Sequence, residues 1–76
     1  MHSRTLYYVH ALALRSRGYE QKLITNPRSV LQKEHVAEAE IKLIEALAPQ
    51  SAFAFGMVIA EVHRLLYSSD YEQLVN

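Results

Sequence analysis

The sequence predicts an all-α fold, a small antiparallel three-helix bundle with a possible extra C-terminal helical turn, completed by dimerisation. Three observations carry this. Glycine and proline number two each in 76 residues, too few for a turn-rich β fold. Ala, Glu, Lys, Leu and Arg make up 34 of the 76 residues, a helix-rich composition. Apolar side chains recur at the 3.6-residue helical period, and no segment sustains the two-residue alternation of a strand.

The first helix is expected to start after Ser3, an N-cap residue, and to bury Leu6, Tyr7, His10, Ala13 and Leu14 on one face. Arg15-Ser16-Arg17-Gly18 has the composition of a helix end. Tyr19, Leu23 and Ile24 nevertheless continue the spacing. The expected course is one helix through Gly18 to about Leu23, at a cost of about 1 kcal/mol for the glycine.

Asn26-Pro27 starts the second helix, with Asn as N-cap and Pro at the first helical position. Ser29 with Gln32 offers an alternative capping box. This helix is expected to reach about Ala48, burying Val36, Ala37, Ile41, Leu43, Ile44, Leu47 and Ala48. Pro49 ends it. The third helix runs from about Ser51 to Tyr67, with Phe55, Val58, Ile59, Val62, Leu65 and Leu66 as its main stripe. Ser69-Asp70-Tyr71-Glu72 can cap a last turn holding Tyr71, Leu74 and Val75.

The chain is read as one domain, residues 1–76. Leu, Ile, Val and Phe make up 22 residues, well above the content of a disordered chain. The formal net charge is zero, but it is unevenly spread. Residues 1–33 hold six basic side chains against one acid, a net +5; residues 34–76 hold two against seven, a net −5. Such a split marks a nucleic-acid or acidic-partner surface, or two halves that attract each other within one chain or between copies.

Several classes are excluded as expectations. The longest uncharged apolar run, Ala52–Ala60, spans nine residues, against about 20 for a membrane-spanning helix. The N-terminus does not read as a leader, since only Leu6–His10 precede the small-residue triplet Ala11-Leu12-Ala13. There is no cysteine, so no disulfide and no thiolate; the expected compartment is cytoplasmic. The four histidines lack His-Glu-x-x-His or Glu-x-x-His spacing, so no metal or cofactor is expected. With no glycine-rich phosphate loop and no close acid–base set, the chain is expected not to be an enzyme.

Two surfaces are expected to carry function. On the third helix Phe53, Gly56, Met57, Ala60 and Tyr67 lie away from the main stripe, so that helix is apolar all round. These residues are assigned to self-association. On a continuous first helix Arg4, Tyr8, Arg15 and Lys22 fall within about 40° of one another at 100° per residue. With Arg17 and Arg28 they form a basic surface for a protein partner, or alternatively for nucleic acid. A helix-turn-helix is rejected, because the stretch that would read bases is Ala52-Phe53-Ala54-Phe55-Gly56-Met57. Glu40 projects from the apolar face of the second helix and needs a partner, expected to be His10 or Arg17. The expected function is that of a small non-enzymatic adaptor, inhibitor or regulatory subunit acting as a homodimer.

Overall fold

The computed structural model describes the backbone of residues 4–75 and the side chains of residues 4–67. It is all-helical, with five helices and no strand among the described residues: α1 Arg4–Arg15, α2 Arg17–Thr25, α3 Pro27–Lys33, α4 Glu38–Leu47 and α5 Ala52–Val75. Two of the three expected helices are each broken once.

The first break is at Ser16, so the continuous helix through Gly18 is not what forms. Ser16 is extended (φ −136°, ψ 115°), and its hydroxyl accepts the Tyr19 N–H at 3.2 Å as the N-cap of α2. Gly18 therefore lies in the first turn of α2 and carries no mid-helix cost. The bend also has a distant use. Glu20 on α2 accepts the Ala52 N–H at 2.8 Å, and Ser51 Oγ accepts that of Ala54 at 3.0 Å. Two of the four orphan amides that open any helix are thus satisfied at the start of α5, one of them from 32 residues away.

Asn26 caps α3 as expected, its Oδ1 accepting the Ser29 N–H at 3.3 Å with Pro27 following. The second break lies between α3 and α4, where a single helix over 27–48 was expected. His35 sits in the left-handed region at φ 62°. Its N–H donates to the Gln32 carbonyl and that of Val36 to Leu31, both at 3.0 Å. This is a Schellman motif with His35 where glycine is usual, closed by the buried pair Leu31 and Val36. Holding an L-residue there costs about 1–2 kcal/mol. The first turn of α4 carries Glu38 and Glu40, the favourable sign for a helix N-terminus. Ala48 (φ 48°) ends α4 with its N–H on the Ile44 carbonyl at 2.9 Å, just before Pro49.

α5 continues as one helix to Val75 without a new start near Ser69. The side chains of the expected capping box there, and of Tyr71, Leu74 and Val75, lie outside the described residues, as does the Ser3 cap.

The helices pack mainly on their chain neighbours, α1 on α2, α2 on α3, α3 on α4 and α4 on α5, and α1 returns to α5. The result is a ring with a core of Leu6, Val9, Leu23, Leu31, Ile41, Ile44, Phe55, Ile59 and Val62. Twenty-four residues make α5 about 36 Å long at 1.5 Å per residue. It is the longest element of a molecule measuring 44 × 20 × 19 Å. Val9 is fully buried although the expected face omitted it, whereas Tyr7, Leu14, Leu47 and Leu65, all expected inside, stand 42–60% exposed. Of the other residues expected inside the second helix, Ala37 and Ala48 are exposed because they now flank α4 rather than belong to it.

Candidate functional site

The outer line of α5 is Phe53, Met57, Ala60 and Arg64, at spacings of four, three and four residues that keep one face of a helix. All four are exposed, Phe53 at 74% and Met57 at 64%. The other two residues assigned to self-association turn inward. Gly56 meets α1: a Cβ there would lie 2.7 Å from both Cε1 and Nε2 of His10, so the seam uses the missing side chain. Tyr67 donates its hydroxyl to Glu40 Oε2 at 3.0 Å.

The exposed line gains a residue that the sequence reading placed inside. Leu14 on α1 is 60% exposed, and with Phe53 it borders a shallow depression whose polar walls are Arg17, Glu20 and Ser51. Apolar surface thus crosses from α5 onto α1. Arg64 pairs with Glu61 one turn earlier, which leaves this line close to neutral.

The basic surface is rearranged by the break at Ser16. Arg4, Tyr8 and Arg15 lie exposed along the outer face of α1, and Arg17 and Lys22 lie exposed on α2. None of these cations forms an ion pair among the described residues. Arg28 is separated from them and bound within the chain. Its Nη1 and Nη2 reach Oε1 and Oε2 of Glu38 at 3.0 and 2.8 Å, and its Nε and Nη2 reach Oε2 and Oε1 of Glu45 at 3.1 and 2.8 Å. One guanidinium thus grips two α4 carboxylates in forked geometry. The basic half and the acidic half of the chain attract each other here.

This clamp has a pH signature. The hydrogen bonds from Arg28 hold the Glu38 carboxyl below the ordinary carboxylate range, against a smaller opposing effect of burial. A carboxyl with a lowered folded-state pKa contributes stability that is present above its unfolded pKa of about 4.3 and is lost as pH falls through the folded value. Arg28→Met should therefore flatten the acid limb of a urea-midpoint curve recorded from pH 7 to pH 3. A variant whose midpoint falls as steeply as the parent's would show that the clamp contributes nothing.

Glu40 is buried at 1% exposure, and its partner is Tyr67 rather than His10 or Arg17. His10 instead leans on Phe55, with ring centroids 6.3 Å apart, while Arg17 is exposed on α2. Buried His63 stands between Tyr7 and Tyr67, its ring 5.6 and 5.8 Å from theirs, with the Tyr7 hydroxyl 3.5 Å from Nδ1. Hydrogen bonding to Glu40, followed by burial, pushes the Tyr67 phenol above its ordinary pKa. The cluster ties α4 and α1 to α5 beneath the surface.

Among the described residues no group of three or more His, Cys, Asp or Glu could hold a metal ion, and no helix is long and apolar enough to cross a membrane. What the exposed residues offer is contact chemistry: an apolar strip and a basic face. Comparison with protein-family models, with curated proteins and with solved structures gave no match.

Proposed function

We propose that the chain is a small non-enzymatic interaction protein that pairs with a second copy of itself through the outer line of α5. The observation that carries this is the exposure of Phe53 and Met57, joined by Leu14 across the α1–α5 seam. Burying each such side chain is worth about 1.5–3 kcal/mol. A chain of this length rarely draws more than about 3–5 kcal/mol from its own core. The neutral Glu61–Arg64 pair adds no charge repulsion when two copies of the line face each other. Ala60, on the same line, lets the two helices approach closely. Dimerisation on this line would cover α5 on its open side and complete the bundle.

The basic α1–α2 face, Arg4, Tyr8, Arg15, Arg17 and Lys22, is the surface for another, acidic, protein in this reading. Arg28 drops out of that surface because its charge is spent on Glu38 and Glu45. Nucleic acid is the second reading, favoured by those same cations, which form no ion pair among the described residues. It predicts affinity that falls steeply with salt, and no affinity at low ionic strength would remove it.

Light scattering tests the self-association. The expected mass at tens of micromolar is about 17 kDa, twice the 8.7 kDa chain. Phe53→Asp should return it to the single-chain mass with helicity unchanged. A parent protein that is monomeric at that concentration would remove the dimer from the proposal.

A further inference from the structure

One concavity lies away from the α5 line. It is a pocket of about 290 Å³ lined by Tyr19, Lys22, Ser29, Val30, Lys33 and Glu34, where α2 meets α3. Three features set it apart from an ordinary groove. Lys22 and Lys33 approach it from different helices, and neither forms an ion pair among the described residues. Ser29 adds a hydroxyl. The Tyr19 phenolic oxygen is closed to solvent and finds no hydrogen-bond partner among the described residues. A buried hydroxyl with nothing to bond to is a destabilising exception that calls for an explanation.

We propose that this pocket binds a carboxylate group, held by Lys22 and Lys33 with Ser29 as an additional donor and with the Tyr19 hydroxyl, closed to solvent in this structure, turning toward the ligand as a further donor. The lining is rich in donors and carries one acceptor side-chain anion, Glu34, so its net charge is +1. That matches a single carboxylate better than a phosphate monoester, which brings about −1.5 to −2. Tyr19 packs partly against the hydrophobic core, as does Val30, so the floor is apolar and suits the methylene stem that precedes an acid. The volume lies at the small end of ligand sites, about 300–1,000 Å³, enough for an acidic side chain or a short organic acid. Burial, then Glu34, then Tyr8 keep the Tyr19 phenol protonated well past neutrality, so it stays a donor. The carboxylate can come from an acidic segment of a partner protein or from a free small acid. In the first case the site extends the proposed basic face, since Lys22 belongs to both.

Amide chemical shifts read the site during two titrations of the full chain, one with sodium propionate and one with an acetylated, amidated tetraglutamate peptide. The expected result is saturable shifts at Tyr19, Ser29 and Lys33. Lys22→Gln and Lys33→Gln should each weaken binding about tenfold, the loss of one charge-assisted hydrogen bond, and Tyr19→Phe about fivefold. Saturation by propionate assigns the site to free acids; saturation by the peptide alone assigns it to a partner's side chain. The proposal is overturned if neither probe shifts these amides. It is also overturned if peptide shifts are confined to Arg4, Arg15 and Arg17 and persist in the Lys22→Gln/Lys33→Gln double variant. That last outcome leaves the basic face intact while removing the pocket, so the two readings fail separately.

Discussion

Phe55→Ala is expected to leave the chain largely unfolded at 25 °C, while Phe53→Ala, the same substitution two positions away, leaves the isolated fold within about 0.5 kcal/mol of the parent. Phe55 has no exposed surface and is among the largest side chains of the core. Truncating a buried Phe costs about 3–5 kcal/mol, from lost transfer energy plus the cavity left behind. That equals the roughly 3–5 kcal/mol a core of this size supplies. Phe53 is 74% exposed, so the monomer loses little with it. Any cost at Phe53 arises from self-association and should grow with protein concentration. Circular dichroism during urea unfolding at two protein concentrations separates these effects. A Phe55→Ala variant that melts cooperatively within 1 kcal/mol of the parent would contradict the assignment of Phe55 to the core; the threshold lies well below about 3 kcal/mol.

The second large effect is expected at the buried acid. Tyr67→Phe should cost about 1.5–3 kcal/mol at neutral pH, the range for a hydrogen bond to a charged group. Glu40 then keeps its burial and loses the one donor it has among the described residues. Replacing both partners, as Glu40→Leu/Tyr67→Phe, should recover most of that loss, because no buried polar group is left unsatisfied. The pair also gives an alkaline limb. The Tyr67 pKa is raised, chiefly by its bond to Glu40. Stability from this group is therefore fully present below the unfolded phenol value of about 10 and is lost as pH rises through the higher folded value. Tyr67→Phe should lack that part of the alkaline loss. If Tyr67→Phe unfolds at the same urea midpoint as the parent at pH 7, the hydrogen bond is of no consequence to the fold.

What the sequence reveals follows how local each cause is. Asn26-Pro27, Pro49 and Ser51 act on their own backbone within three residues, and the structure uses each of them at an element boundary. The helical period likewise finds Leu6, Ile41, Ile44, Phe55, Ile59 and Val62. The break at Ser16 gains from a distant partner, and the one at His35 is a local turn that no glycine marks. Ser16 has a good cap, but the bend gains from Glu20 reaching the first turn of α5. His35 has no glycine to announce its left-handed turn, and Leu31 closing on Val36 helps to hold it there. The candidate surfaces divide in the same way. Phe53, Met57 and Ala60 are legible because α5 is apolar all round. The inward turns of Gly56 and Tyr67, and the pairing of Arg28 with α4, are set by neighbours ten or more positions away, His10, Glu40, Glu38 and Glu45.

The ring in which these helices pack has a consequence for the order of assembly. Four of its five main contacts join elements adjacent in the chain, so they can form after closing loops of only a few residues. The fifth, α1 on α5, must bring together segments separated by most of the chain. Loop-closure entropy grows only as the logarithm of length, yet it falls on this single step. Chains dominated by local contacts fold in microseconds to milliseconds, and the α1–α5 clasp is expected to be the slow event within that range. It is also the natural place for the native state to open first. Because Phe53 and Leu14 lie on either side of the clasp, a second copy bound across them would act as a latch that slows its opening.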